Sequence, residues 1–193
     1  MTRRYILTGT PGAGKTAVLR LLEHLGYAVV AESATDVIAL AHALGDPEPW
    51  MRESFVDKIV ALQRQRESRA TGAGVQVFDR SPVCTQVLSA YLGRPASPAL
   101  AAEIDRITRE RTYQRQVFFV RNLGFCEPTA ARRISFADSL RFERVHEETY
   151  RASGYELIDI PAGPLAKRVA AIRRVLAPPD AGPGPTHGES ADS

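Results

Sequence analysis

The chain has 193 residues, of which 44% are hydrophobic, and its 25 Lys and Arg against 22 Asp and Glu give a formal net charge of +3 at pH 7. This length and apolar content suffice for one sizeable core, so we expect one globular domain at residues 1–176. No run of about 18 apolar residues that could span a membrane is present, and no apolar signal-peptide stretch follows the N-terminus. We therefore expect a cytoplasmic protein without a membrane partner.

The cationic residues are mostly arginines, and they are spread along predicted helices instead of forming one basic run. Binding of small phosphorylated molecules explains these cations as well as nucleic-acid binding does, so we do not expect a nucleic-acid partner. Cys84 and Cys126 are isolated, which predicts two reduced, packed thiols. The composition is also compatible with a homodimer.

A glycine-rich motif near the N-terminus is the strongest functional signal. Residues 9–16 fit the pattern G-x-x-x-x-G-K-[ST], between a short apolar run and a helical pattern. Backbone N–H groups of such a loop form an anion-sized hollow at a helix N-terminus. Lys15 is predicted to reach the β- and γ-phosphates of ATP, and the Thr16 hydroxyl to bind Mg²⁺. The residues expected to contact the donor nucleotide here are Gly12, Ala13, Gly14, Lys15, Thr16 and Ala17.

Apolar periodicity predicts five strands that alternate with helices. The strands are placed at residues 5–7, 27–31, 75–78, 116–120 and 155–160. Ser33 is predicted to cap the second helix, and Met51 to lie in a longer helix with Phe55. The alternation indicates an α/β fold, a three-layer sandwich around a five-stranded parallel sheet.

Two segments lack this periodicity. Residues 121–135 are predicted to form a mobile loop, in which Arg132 would bind the nucleotide and Arg133 would act in catalysis by closing over the triphosphate. An alternative is that both arginines lie in a solvated turn. Residues 177–193 are rich in Pro and Gly and carry no apolar side chain larger than alanine, which predicts a disordered tail.

Polar residues follow several predicted strands. In parallel sheets, ligands bind at the carboxyl ends of the strands, so residues 9–16, Glu32, Asp79 and the loop that contains Ala162 should form one site. Asp79 can hold Mg²⁺ and organise the phosphoryl group, or accept the proton of an attacking hydroxyl, and a helix N-cap role for it also stays open. Glu32 is expected beside the acceptor. Arg80 is expected to neutralise the transferring phosphate or to hold the acceptor.

The aromatic residues near this edge have two interpretations. Trp50, Phe55 and Tyr91 can stack on a ring of the acceptor, but aromatic residues at such positions more often belong to the core. The sequence therefore favours a core assignment for all three.

From Arg3 to about Leu176 the chain resembles the P-loop kinases of nucleosides and related metabolites, especially ribosylnicotinamide kinase-like domains of the AAA-domain type. The resemblance rests on residues 9–16, Glu32, the Asp-Arg-Ser triplet at 79–81, Arg132-Arg133 and residues 155–161. It implies the strand order 2-3-1-4-5 and an adenine site between a lid arginine and the loop with Ala162. That order puts Asp79 beside the P-loop strand, so we assign Asp79 to Mg²⁺ and phosphoryl organisation, and Glu32 to hydroxyl binding or general-base catalysis. The reverse assignment, with Asp79 as the base, stays open.

These features predict an ATP- and Mg²⁺-dependent kinase that phosphorylates a hydroxyl of a small molecule, a nucleoside or nucleoside-like metabolite. The absence of an N-K-x-D run argues against a GTPase. Two alternatives stay open: an ATPase or nucleotide-operated switch that binds a protein or nucleic acid, and a drug-modifying phosphotransferase. A kinase requires an acceptor cavity between the second and third strands, whereas a switch does not.

Overall fold

A computed structural model describes residues 2–123 and 136–177 of the chain. The strands are β1 (Arg3–Gly9), β2 (Ala28–Val30), β3 (Val75–Asp79), β4 (Gln116–Val120) and β5 (Glu156–Ile160). The helices are α1 (Lys15–His24), α2 (Ser33–Ala43), α3 (Phe55–Arg69), α4 (Pro82–Tyr91), α5 (Pro98–Arg109), α6 (Phe136–Ala152) and α7 (Leu165–Leu176). A short 3₁₀ helix, Pro49–Met51, precedes α3. The alternation of strands and helices agrees with the sequence pattern.

The five strands form one parallel sheet in the order β2-β3-β1-β4-β5, which confirms the predicted α/β fold and strand order. Leu7 of β1 lies opposite Asp79 of β3, and Gly9 of β1 lies opposite Val120 of β4. In the sheet, β3 pairs with one side of β1, and β4 pairs with its other side. The loop after β1 therefore lies at the switch point where open parallel sheets bind ligands.

The central strands are buried on both faces, as their nearly continuous apolar sequences predict. On one face, Leu7 and Phe118 pack in a cluster with Leu22 of α1 and Ile172 of α7. On the other face, Ile6 and Val117 pack with residues of α4 and α5 and with Tyr150 of α6. Each such side chain contributes about 1.5–3 kcal/mol when fully buried, so the core holds the carboxyl edge of the sheet in a fixed geometry.

Two local predictions are wrong. Glu32, not Ser33, occupies the N-cap position of α2, because Ser33 already has helical backbone and its side chain is buried. Met51 does not belong to α3, because the backbone of Arg52 is extended and separates the 3₁₀ helix from α3. Met51 is consequently 64% exposed.

Three sequence predictions concern segments that lie wholly or largely outside the described residues. They are the loop at 121–135, of which residues 121–123 are described, the tail at 177–193, of which Ala177 is described, and Cys126. The domain boundary at residue 176 stays a prediction. No helix within residues 2–123 and 136–177 combines the length and the apolar content needed to cross a membrane.

Candidate active site

The glycine-rich loop connects β1 to α1 at the carboxyl end of the sheet. Gly14 is the N-cap of α1 with φ of +77°, a conformation that glycine adopts without the strain of a side chain. Lys15 is buried, and its Nζ donates a hydrogen bond to the Thr10 carbonyl at 2.7 Å. Helix α1, which is described in full, has no acidic residue in its first turn. The positive end of its dipole and the Lys15 cation thus favour an anionic ligand.

Glu32 and Arg80 form an ion pair beside this loop. Each follows a strand, β2 and β3 respectively, and the Arg80 Nε lies 2.5 Å from the Glu32 Oε1. The second carboxylate oxygen accepts a hydrogen bond from the Thr35 hydroxyl at 2.8 Å. Two residues 48 positions apart in the chain are therefore brought together by the order of the strands.

The charges around Glu32 keep its carboxylate ionised. Burial by itself raises the pKa of Glu32, but the cations of Arg80 and Lys15 and the hydrogen bonds from Thr35 and Arg80 outweigh burial and lower that pKa to about 2. A carboxylate with so low a pKa is a weak proton acceptor in the resting site. It is well suited to accept a hydrogen bond from a hydroxyl.

Arg80 has a strained backbone. Its φ of +71° lies in the left-handed region, which costs a residue with a side chain about 1–2 kcal/mol. Its N–H donates to the Leu7 carbonyl at 3.0 Å, which holds the backbone in place. Within the described residues, the only hydrogen bond of its side chain is the one from Nε to Glu32. The two terminal guanidinium nitrogens are therefore available to a ligand, and such strain is typical of functional positions.

Asp79 and Thr16 are the candidate Mg²⁺ ligands. Asp79 is the last residue of β3, and Ser81 occupies the N-cap position of α4, so the N-cap interpretation of Asp79 is wrong. No group of three or more His, Cys, Asp and Glu that could hold a metal occurs in the described part of the chain. A hydroxyl and a carboxylate oxygen fit Mg²⁺, which usually completes its coordination with waters and phosphate oxygens.

A pocket of 380 Å³ opens beyond the carboxyl ends of β2 and β3. Glu32 and Arg80 form its polar end, next to Pro11 of the glycine-rich loop. Gln63 and Thr85 add polar groups elsewhere in its wall, and the Thr85 hydroxyl donates to the Gln63 amide oxygen at 3.1 Å. The remaining lining is mostly apolar and includes the side chains of Ile38, Trp50, Phe55, Ile59, Leu88, Tyr91 and Phe142. Size, apolar walls and a few polar groups are typical of a small-molecule site.

The aromatic residues depart from the core assignment made from the sequence. Trp50, Phe55 and Tyr91 all line the pocket, and Tyr91 is 52% exposed, so the core assignment is wrong for Tyr91. Phe55 is buried in the apolar packing and lines the pocket as well. Phe142 contacts Tyr91 edge to face with ring centroids 5.2 Å apart. Tertiary packing of α3, α4 and α6 creates this wall, which periodicity along one helix does not reveal.

Helix α6 also supports the glycine-rich loop through charged groups. The Thr10 hydroxyl donates to the Glu143 carboxylate at 3.2 Å, and Arg121 forms an ion pair with the same carboxylate at 3.2 Å. Arg121 further pairs with Glu147 at 2.8 Å and with Asp159 at 2.7 Å. Sequence reasoning missed these residues, although Arg121 directly follows β4 and the strand-end rule applied to Glu32 and Asp79 points to it equally.

His146 of α6 lies behind the pocket wall. Its ring is buried between Phe142 and Tyr150, with centroid distances of 4.9 and 5.9 Å. Burial, with a smaller contribution from the cations of Arg80 and Lys15, holds the pKa of His146 well below its usual value. The imidazole is therefore neutral near pH 7 and adds no positive charge to the site.

The remaining predicted site residues have different outcomes. Ala17 lies in the first turn of α1, and Ala162 lies in the exposed loop between β5 and α7, at the carboxyl edge of the sheet. Arg132 and Arg133 lie outside the described residues, so their roles stay predictions. The structure thus brings Lys15, Glu32 and Arg80 together, with Asp79 beside β1.

The parallel strand order, the glycine-rich loop and the adjacent pocket define a P-loop domain with the fold of P-loop kinases. A family model described as an AAA domain matches residues 4–168, and the chain belongs to that family. No curated protein sequence matches the chain significantly.

Solved structures share this fold at low sequence identity. Deoxyadenosine kinase from M. mycoides with the products dCMP and dCDP is 15% identical, with a TM-score of 0.57 over 90% of this chain and 97% of that one. NadR in complex with NAD and AMP-PNP is 12% identical, with a TM-score of 0.64 over 90% of this chain and 49% of that one. NadR in complex with NR gives 12% identity and a TM-score of 0.65, over 91% of this chain and 51% of that one. The chain spans about half the length of the NadR chains.

Proposed function

We propose that the protein is an ATP- and Mg²⁺-dependent kinase that transfers a phosphoryl group to a hydroxyl of a nucleoside or nucleoside-like small molecule. The observation that carries the proposal is the Glu32–Arg80 ion pair at the polar end of an apolar pocket that reaches the glycine-rich loop. A site of this form holds a hydroxyl next to the donor phosphates. That is the arrangement phosphoryl transfer requires.

Each charged residue has a separate task in this proposal. Lys15 neutralises the phosphates of ATP, and the terminal guanidinium nitrogens of Arg80 bind the transferring phosphoryl group as negative charge shifts toward the leaving oxygen. Glu32 accepts a hydrogen bond from the acceptor hydroxyl and orients its oxygen toward the γ-phosphorus. Thr16 and Asp79 hold Mg²⁺, which supplies further charge neutralisation when it is bound. The low pKa of Glu32 favours orientation of the hydroxyl in the resting site, and the carboxylate takes the hydroxyl proton late, when formation of the O–P bond has made that proton acidic.

The lining of the pocket also favours one class of acceptor. Among the described residues, Glu32 and Arg80 are the only charged ones in its lining, and they neutralise each other. Because Trp50, Phe55, Tyr91 and Phe142 present ring surfaces, an uncharged planar ring fits the pocket better than a second polyphosphate. The Gln63 amide offers hydrogen bonds to the edge of such a ring. These features favour a nucleoside-like acceptor, and a drug with the same shape stays an alternative.

The pocket favours a kinase over a nucleotide-operated switch. A switch hydrolyses ATP without a second small molecule and does not require an acceptor cavity beside β2 and β3. The structural relatives bound to dCMP and to NR agree with a nucleoside-type acceptor, although at 12–15% identity they carry the fold alone. A cytoplasmic location and a homodimer also stay proposals.

The test is a thermal-shift screen of nucleosides, sugars and cofactor precursors in the presence of AMP-PNP and Mg²⁺, since a ligand that binds only the folded state raises its stability. Compounds that raise the melting temperature are then incubated with ATP, and the phosphorylated product is identified by mass spectrometry. ATP consumption that depends on such a compound supports the kinase. Hydrolysis at one rate with and without every compound would instead support the switch.

A further inference from the structure

Helix α7 carries an arginine on its inward face. Arg168 lies one turn before Ile172, and both side chains are buried. Arginine is rarely buried to this degree without a carboxylate partner. Within residues 2–123 and 136–177, no carboxylate pairs with Arg168, although its guanidinium retains the positive charge. In the described part of the chain this cation has no carboxylate countercharge, and a buried charge without one normally costs free energy.

The guanidinium contacts the glycine-rich loop from its outer side. Its Nη2 donates to the Ala13 carbonyl at 2.7 Å and lies 3.4 Å from the Arg121 carbonyl. Its Nη1 lies 3.0 Å from the point where a Cβ on Gly14 would stand. Arg168 thus links α7 to the glycine-rich loop and to Arg121, the residue after β4.

This contact fixes the direction of a backbone donor. The Ala13 carbonyl and the Gly14 N–H belong to one planar trans peptide group, in which they point in opposite directions. Because Arg168 holds the carbonyl oxygen of Ala13 on the outer side of the loop, the Gly14 N–H points to the inner side, toward the anion hollow. A hydrogen bond to the carbonyl also polarises the peptide group and strengthens its N–H as a donor.

We propose that Arg168 is a positioning residue of the donor site, which orients the Ala13–Gly14 peptide toward the donor polyphosphate. The bound polyphosphate supplies a countercharge to the buried guanidinium, which pairs with no carboxylate of the described residues. This inference rests on the proposed function only in requiring that the loop binds a nucleotide. It assigns to α7 a part in nucleotide binding that the glycine-rich motif does not include.

The test compares Arg168→Met, Arg168→Lys and Arg3→Met by calorimetric titration with ADP and Mg²⁺. Arg3 is a matched control, because its Nη2 donates to the Leu176 carbonyl at 2.8 Å and anchors the other end of the same helix. We expect R168M to raise the Kd for ADP about 10- to 100-fold, the loss typical of a hydrogen bond to a charged group. R168K keeps a charge and a donor and should recover most of the affinity. R3M should lower the melting temperature while its Kd stays within about 2-fold of the parent.

The outcomes separate this inference from the kinase proposal. If R168M folds and binds ADP as the parent does, or if R3M weakens ADP binding as much as R168M, Arg168 only anchors α7 and the inference is wrong. If the parent binds ADP but phosphorylates no hydroxyl, the kinase proposal fails while the binding data still decide the role of Arg168. A parent that binds no ADP overturns both.

Discussion

Two partly buried clusters of arginine and glutamate lie at opposite ends of the sheet. At the carboxyl end, the Arg80 side chain has one described hydrogen bond, to Glu32, and lines a pocket. At the amino end, Arg106 pairs with Glu67 and Glu103, each at 2.6 Å, and with Glu110 at 2.7 Å. We call the first the site pair (Glu32, Arg80) and the second the structural cluster (Glu67, Glu103, Arg106).

The difference lies in how completely each arginine is satisfied. Carboxylates on α3 and α5 surround the guanidinium of Arg106. Arg80 has a strained backbone, and its two terminal nitrogens bond to no other described residue. Arg4 and Arg64 add further ion pairs to the structural cluster, at 3.2 and 3.3 Å. A cluster whose donors and acceptors are paired internally holds elements together, and a strained, incompletely paired one beside a pocket is suited to a ligand. Mutations in the structural cluster should therefore lower stability, and mutations in the site pair should lower activity.

The largest effect is expected from Lys15→Ala, next to the site pair. It removes the cation nearest the transferring phosphoryl group, where the loss of one preorganised charge typically lowers kcat by about 10²–10³-fold or more. Circular dichroism should show an intact fold. Lys58→Ala, on α3 away from the loop, is the control, and turnover by K15A at the parental rate would remove the loop from catalysis.

The next effect is expected from Glu32→Gln within the site pair. Gln removes the carboxylate charge that orients the acceptor hydroxyl, so acceptor-dependent kcat should fall about 10²-fold or more while the Kd for ADP stays near the parental value. Asp36→Asn is the matched control, because Asp36 also lies on α2 and pairs with an arginine, Arg66, outside the pocket. Full kinase activity in E32Q would exclude Glu32 from the site and leave Asp79 as the candidate base.

The structural cluster should respond in the opposite way. Glu103→Gln leaves the Arg106 and Arg64 charges without one of their carboxylates, which should lower the free energy of unfolding by about 2–4 kcal/mol. Urea denaturation measures this change, and kcat per folded molecule should stay parental. A fall in kcat as large as that of E32Q would show that the two clusters do not differ in role.

The smallest effect concerns pH. His146 is neutral in the folded protein and has a pKa near 6.5 when unfolded, so protons favour the unfolded state and stability should fall as the pH drops below about 6.5, by up to about 2 kcal/mol at pH 5. Glu32 has a folded pKa of about 2, so its stabilising contribution is complete above its unfolded pKa of about 4.5 and is lost only as the pH falls toward 2. His146→Phe should remove most of the loss between pH 6.5 and 5. The exposed His24→Asn should not, and an unchanged slope in H146F would assign the loss to other groups.

The sequence predicts the strands and helices and most of the polar groups at the carboxyl edge. Glycine-rich spacing locates Lys15 and Thr16, and the strand-end rule locates Glu32 and Asp79, because both signals are local in the chain. The pairing of Glu32 with Arg80 requires the strand order, which came from the family resemblance and was confirmed.

The walls of the site were harder to predict. Phe142 and Glu143 reach the loop and the pocket only because α6 packs against α4 and β5, and no local pattern marks such contacts. Arg168 is an exception, because an arginine at helical spacing with Ile172 interrupts the apolar face of α7, and such an interruption is a signal local to one helix.

The central claim is tested most directly by following the γ-phosphate of ATP. The parent is incubated with ATP, Mg²⁺ and an acceptor found by thermal shift, and ³¹P NMR identifies the product. We predict a phosphomonoester on the acceptor hydroxyl, formed together with ADP and lost in E32Q but not in D36N or E103Q. Release of the γ-phosphate only as inorganic phosphate, at a rate that the acceptor does not change, would contradict a kinase.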